Sequence, residues 1–407
     1  MNVKENWGDY MLSDIKRNKS LTFYQPLTIS RKTDFSSAYS GGLGAHAIST
    51  VIHGTATMTN QFNAELNGYL SYFQQVRASD AANLDLTQAN QAARQRGVYR
   101  AWQYEKADIS MGGNGSENWS FQEQQDIMNN VDMDNEYYSR SGVRGAEGHH
   151  QKNAADHPEH QANPDNIKFY RSHKEHQMKG HQGNFQNETD APMRDKDQML
   201  KDTNNKRVNK NEWHGLKMAV EIGIGVGFTI GFAVELAKSG VTPNSMKCAL
   251  AAGTKSGIET GILSVAGFCI GRTIGESATN AVEGVLTNAG IQISENLSKM
   301  CTMATIGVLT ISIFSAYQFV KLKILGVATK DALIQVGKQA LFSLSILAVS
   351  IAAQGICGGP AGIIVSTSIG IIIVTYSIGD IVHQRTSSES IRSYMINKCK
   401  PSFGGGI

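Results

Sequence analysis

Two adjacent histidines, His149 and His150, stand in the stretch Gly145 to Asn153, "GAEGHHQKN", a region with no cysteine and little apolar material. On an extended strand neighbouring side chains point to opposite faces, so such a pair serves two partners at once. One imidazole can hold a metal ion while the other works on a substrate. A neutral imidazole is available as a base near neutral pH, and a divalent ion stabilises charge on a scissile phosphate.

The elements that must position this pair follow it. Seven of the eleven histidines fall between His149 and His181. Asn163-Pro164-Asp165-Asn166 is strong turn chemistry, and Ile167-Lys168-Phe169-Tyr170 alternates as a short strand does. Ser172, with Glu175 three residues on, has the capping-box spacing that starts a helix at about His173. The order is therefore strand, turn, strand, helix, with histidines on the first strand and on the helix. His157 and His160 lie between the strands and read as loop residues.

This arrangement resembles the HNH, or ββα-metal (His-Me) finger, nucleases, within them the Gly-His-His branch found in nuclease colicins and bacterial polymorphic toxins. The resemblance rests on Gly148-His149-His150, on Asp165-Asn166-Ile167 and on the helix histidines, over about residues 140–190. It implies a metal-dependent endonuclease using Mg²⁺, Mn²⁺, Ni²⁺ or Zn²⁺. By that resemblance His149 is a metal ligand, His150 the general base that takes a proton from the attacking water, and Asn166 the residue that orients the base. His176 and His181 complete the metal site.

One spacing departs from the pattern. Nuclease colicins have helix histidines four apart, whereas His176 and His181 are five apart, about 140° around an ideal helix. Either the helix ends at Gly180 and His181 bends back, or the ligands are His173 and His176, three apart on one face. The first alternative is favoured because Gly180 is a natural helix terminator. An exposed histidine-rich loop or a structural zinc site is the plainer reading. A structural site normally closes four ligands and needs neither a second adjacent histidine nor an asparagine.

The chain of 407 residues is long enough for two or three domains, and its composition breaks near Trp213. A formal net charge of +3 makes no case for nucleic acid by itself. Five widely spaced cysteines without a CxxC pair exclude a disulfide framework and a cysteine zinc site. The charged start "MNVKENWGDYMLSDIKRNK" has no apolar h-region of a secretory signal. Residues 45–108 read as helical, "SMGGNGSENW" as a loop, and Ser120 to Asn129 as a short helix capped by Ser120 and Glu123. In the mixed-charge stretch 190–212, Lys206, Arg207 and Lys210 are candidates for phosphate contact.

Beyond it the character changes. Residues 300–320 are uncharged over a membrane-spanning length, and residues 339–379 carry no charge, divided by Cys357-Gly358-Gly359-Pro360 into what reads as a helical hairpin. Two weaker segments carry glycines four apart, Gly223, Gly227 and Gly231, then Gly267, Gly271 and Gly275, the spacing of closely packed helices. A soluble bundle is the alternative, but an uncharged hairpin has no polar face for water. Lys321, Lys323, Lys330 and Lys338, with Arg385, Arg392, Lys398 and Lys400 in the tail, place those segments inside. With four spans the nuclease half also lies inside.

The expected architecture is α+β, a ββα-metal finger within a mainly helical N-terminal half, followed by a helical transmembrane half. Its divisions are residues 1–138, an irregular arm and helical region; 139–190, the nuclease module; 191–215, a charged linker; 216–380, the membrane region; and 381–407, a polar tail. The expected partners are nucleic acid, with DNA favoured over RNA, the bilayer of a bacterial inner membrane, and an immunity or regulatory protein. The function read from this is a membrane-tethered endonuclease of bacterial defence or toxin action. A pore-forming toxin whose hydrophobic hairpin is the active part is the alternative of another class.

Overall fold

Capping chemistry sets the helix starts around the histidines. The computed structural model describes residues 35–134, 141–183 and 192–357, with Gly379, Val382, His383, Thr386 and Ser387. In it the Ser120 hydroxyl accepts from Glu123 N–H while the Glu123 carboxylate accepts from Ser120 N–H. Ser172 likewise accepts from Glu175 N–H, but Glu175 reaches back one residue further, to Arg171 N–H. The expected hairpin arm at 361–379, apart from Gly379, and residues 1–34 of the arm expected to be irregular lie outside the described residues.

The chain is mostly helical with one small sheet among the described residues, as α+β composition requires. Helix α1 runs Phe35–Asn83, starting inside the stretch read as irregular. Helices α2, Gln91–Ser110, and α3, Phe121–Asn130, precede strand β1, Glu147–His150. A 3₁₀ turn at Pro164–Asn166 leads into β2, Ile167–Tyr170, and a one-turn helix, α4, His173–Glu175, follows. The long helices α5, Lys196–Ser239, α6, Pro243–Asn288, α7, Glu295–Ile324, and α8, Thr329–Cys357, complete the order.

The strands pair antiparallel with Gly148 opposite Phe169 and His150 opposite Ile167. Their inner face joins a core of Trp102, Trp119, Ile127, Val131, Ile167 and Phe169, in which Trp102 stacks on Phe169 at 3.8 Å between ring centroids. Each large apolar side chain buried here contributes roughly 1.5–3 kcal/mol. The strand lies tight on α2. A Cβ at Gly148 would stand 2.9 Å from Val98 Cγ1, so the glycine of the Gly-His-His motif is a packing requirement.

A fully buried carboxylate fastens this core. Glu105 accepts from Ser116 N–H at 2.7 Å, the Ser116 hydroxyl at 2.6 Å, Trp119 Nε1 at 2.8 Å and Lys196 Nζ at 3.1 Å. Burial pushes its pKa up, but Lys196 and these hydrogen bonds outweigh that and hold the carboxyl below its usual range. Lys196 opens α5, so residues 196–215, read as linker, are a packed helical segment. Asp197 accepts from the Tyr104 hydroxyl, and Leu200 packs with Phe73 and Tyr104.

Two compact units emerge, Ala45–Gly225 with Gly257–Thr310, and Val226–Ser256 with the described residues of 35–44 and 311–407. In the first, Ile48, Ile52, Ala219, Phe268 and Ile306 form a further apolar cluster, and an added Cβ at Gly223 would meet Ser264 Oγ at 2.0 Å. In the second, Ile230 and Val234 pack with Ile346. Three described helices are long and apolar enough to cross a membrane: Lys196–Ser239, Glu295–Ile324 and Thr329–Ala353. One Gly-rich segment of the sequence lies in the first of these; the other lies in α6, outside them.

Glu105→Ala leaves Lys196 charged and buried, and breaking such a pair costs about 3–5 kcal/mol. The expected result is a markedly lower unfolding midpoint of the full chain in detergent, followed by the fluorescence of Trp102 and Trp119. An unchanged midpoint contradicts the role given to this carboxylate.

Candidate active site and metal centre

Strand alternation divides the chemistry of Glu147, Gly148, His149 and His150. Glu147 and His149 share one face and meet the segment after β2, while His150 takes the opposite face. His149 Nδ1 lies 3.1 Å from His176 Nε2, and His181 stacks edge-on against His149 with ring centroids 4.8 Å apart. Ligand atoms of His149, His176 and His181 all lie within 4.8 Å of one another, the one such group among the described residues. His173 stands apart from it and bonds Glu147 at 3.1 Å.

The five-residue spacing has a local cause. His176–Gly180 is a π turn, closed by His181 N–H to His176 C=O at 3.1 Å. An i→i+5 turn brings the fifth residue back over the first, as an α turn does the fourth. Gly180 lies at its end because nothing larger fits. An added Cβ would stand 2.9 Å from His176 Cδ2, 3.0 Å from Tyr170 and 3.1 Å from His149 Nδ1.

Glu147 orients the cluster, a role the motif reading missed although its i, i+2 relation to His149 signals a shared face. Its carboxylate accepts from His176 Nδ1 at 2.7 Å, which leaves Nε2 of that ring unprotonated and turned to His149. The hydrogen bond from His176 holds the Glu147 carboxyl below its ordinary pKa. Burial, with the neighbouring imidazoles, lowers His149 to about 3, and burial also lowers His181. His149 Nε2 is buried without a hydrogen-bond partner.

These residues fit a divalent ion. Two imidazole nitrogens that share one ion at about 2.0–2.1 Å each stand on the order of 3 Å apart, and three protein ligands leave positions for water or substrate. Burial favours the neutral form of His149 and His181, the state in which an imidazole donates a lone pair.

His150 is held differently. Its Nε2 bonds the Gln161 carbonyl at 2.9 Å, so that nitrogen carries the proton and Nδ1 is left as the acceptor. Burial lowers its pKa to about 4, against the Gln161 hydrogen bond and with Arg94 adding to the fall. Gln161 is fully buried, and its side chain is fixed by Asn90 N–H at 2.8 Å and the Gln88 carbonyl at 2.9 Å. Its carbonyl reaches His150 only because α2 has Gly97 there: an added Cβ would lie 2.4 Å from that oxygen. Asn166 does not touch the imidazole in these bonds. It accepts from Lys152 N–H at 2.6 Å and donates to the Lys152 and His160 carbonyls, bracing the loop between the strands.

Beside His150 and His176 opens a cleft of about 750 Å³, walled by the start of α2 and including Arg94, Val98 and Glu147. A second cavity of about 750 Å³ is lined by Lys206, Arg207 and Lys210, though Arg207 is engaged by Glu65 at 2.7 Å.

Residues 86–171 match the family model described as a GHH signature containing HNH/Endo VII superfamily nuclease toxin. The Gly-His-His resemblance is thus shown over a segment that starts further upstream than the motif, taking in α2, whose Gly97 and Val98 the strands require. That segment is similar to a nuclease-toxin domain. The match ends at Arg171, before His176 and His181. Neither a curated protein nor a solved structure matches the chain.

Glu147→Gln is expected to weaken metal binding by about 10–100-fold in calorimetry on the full chain, since it removes the acceptor that orients His176. A pH effect follows from His150 in the metal-free protein. Its folded pKa of about 4 lies below the unfolded value of 6.5, so the unfolded chain binds more protons between them. Stability is full above about pH 6.5 and is lost as pH falls toward 4, by on the order of 3 kcal/mol from this group. His150→Asn should flatten that slope; an unaltered slope contradicts the assignment.

Proposed function

We propose that the chain is a metal-dependent endonuclease that hydrolyses phosphodiester bonds, with DNA the favoured substrate, and that it acts as a membrane-tethered bacterial toxin or defence effector. The observation that carries the reading is the pairing of a three-imidazole cluster on one face of β1 with a separately held imidazole on the other.

In this reading His149, His176 and His181 hold the ion, Mg²⁺, Mn²⁺, Ni²⁺ or Zn²⁺, which when bound stabilises charge on the scissile phosphate and leaving oxygen. His150 is the general base. The Gln161 carbonyl fixes its tautomer, and Nδ1 takes the proton from the attacking water. Neutral down to about pH 4, it is ready to accept at physiological pH. Asn166 acts on the base through the loop that carries Gln161 and Lys152. Glu147 keeps His176 directed at the ion.

The membrane part of the proposal is supported by helices long enough to span and by side chains that face outward. Ile324 is 77%, Leu325 71% and Leu341 68% exposed, which in water is unfavourable and in lipid is not. Lys321 and Lys323 at the end of α7, with Lys330 and Lys338 on α8, favour the cytoplasmic side of an inner membrane for that connection, and with four spans the N-terminal half lies in the cytoplasm too. An immunity or regulatory protein fits a self-toxic nuclease.

His150→Ala in the full chain is expected to abolish plasmid cleavage while leaving metal affinity intact; cleavage at the unmodified rate sinks the assignment. His176→Ala and His181→Ala should lose metal and activity together, His173→Ala less of either. For the anchor, the full chain should resist carbonate extraction from membranes. Ile351→Arg, at roughly 2.5–3.5 kcal/mol on insertion scales, should weaken anchoring without slowing catalysis in detergent. Purification from the cytosol without detergent as a monodisperse species would rule out the anchor. Ion leakage from liposomes that persists in His150→Ala would favour the pore-forming alternative.

A further inference from the structure

We propose that the cleft beside His150 seats one nucleotide of an unpaired strand, with Arg94 taking its phosphate. This deepens the nuclease reading and rests on it.

The catalytic groups are recessed. His150 is 9% and His149 3% exposed. A base acts on a water only within hydrogen-bond reach, about 3 Å or one water further, so the scissile phosphate must enter the cleft. A duplex carries its phosphates on a stiff, convex outer surface, and drawing one nucleotide inward means unpairing and unstacking it, at a few kcal/mol. An unpaired strand is already flexible and bends in at little cost.

The space and its walls suit one nucleotide. A cavity of about 750 Å³ is of the size that encloses a small ligand rather than a duplex groove. Its lining includes the apolar side chains of Leu84 and Val98, which meet the flat face of a base, and the amides of Gln91 and Gln95, which reach base edges with both donors and acceptors. Tyr99 and Trp102 line the cleft but are 6% and 2% exposed, so the base is gripped by aliphatic contact and not by full aromatic stacking.

Arg94 supplies the charge. It is exposed on the first turn of α2, lines the same cavity as His150 and His176, and its field reaches both His150 and His181. A guanidinium there meets a phosphate with two parallel donors. The other cleft cation, Arg96, is bonded to Asp80 at 3.1 Å, and the cleft's carboxylate, Glu147, is engaged by His173 and His176. Arg94 is thus the cation positioned to meet a phosphate presented to the base.

The test uses the full chain in detergent with Mn²⁺ and three labelled substrates of one sequence: single-stranded DNA, single-stranded RNA and duplex DNA. Both single strands should be cut at least tenfold faster than the duplex. Arg94→Gln should lower kcat/KM on the single strands at least tenfold, chiefly through KM, with metal affinity unchanged by calorimetry, and Arg94→Lys should recover part of the loss. Duplex cut as fast as single strands, or an unchanged KM in Arg94→Gln, overturns the proposal. So does cutting of RNA alone, which replaces it with a site dependent on the 2′-hydroxyl. If the unmodified chain cuts nothing with any of the four metals, the nuclease reading itself fails.

Discussion

The Glu105 carboxylate is the constraint from which the rest of the histidine-bearing region follows. A buried charge is tolerated only when it is paired and its lone pairs are filled. Filling them brings together α2, the loop carrying Ser116, the indole of Trp119 and the first residue of α5. Trp119 then lies in one cluster with Trp102 and Phe169, and Phe169 is the β2 residue opposite Gly148. A chain of contacts therefore runs from one carboxylate to the backbone of the strand that bears the two histidines. The same ion pair makes the core around the two strands and the first turns of α5 one folding problem.

On that platform, two neighbouring residues of one type acquire different chemistry from their surroundings alone. His149 faces other imidazoles and a carboxylate; His150 faces a backbone carbonyl. Burial holds both well below the usual imidazole range. The carbonyl that assigns the tautomer of His150 belongs to Gln161, whose side chain is bound by the Asp85 to Asn90 loop ahead of α2. Loop, helix and histidine-bearing strand are thereby joined through a single residue.

Much of this was legible in the sequence because it is local. Ser120 with Glu123, the Asn-Pro-Asp-Asn turn and the strand Ile167 to Tyr170 each specify a pattern within a few residues, and each forms, while Ser172 caps its helix and Glu175 bonds Arg171 N–H in place of Ser172 N–H. The Gly-His-His motif located the centre for the same reason. What the sequence withheld is long-range or depends on backbone register. Gln161 is one glutamine among many until the fold puts its carbonyl against His150. The stretch from Lys196 to Glu212 has the composition of a solvated linker, because its charges are matched by partners on α1, α2 and α6 that no spacing announces, such as Glu65, Glu105 and Arg272. Asn166 directs its amide at the backbone of Lys152 and His160, residues close in sequence to His150 and Gln161.

The π turn between His176 and His181 separates the number of residues in a ligand pair from its geometry. An α turn with four residues and a π turn with five deliver the same two rings to the same place, provided a glycine clears the space beneath them. The motif is thus tolerant of length where it is intolerant of bulk. A single methyl group at Gly180 would press on His176, Tyr170 and His149. Searches for such centres that fix the count between ligands will pass over chains like this one, while searches that fix the small residue before the last ligand will not.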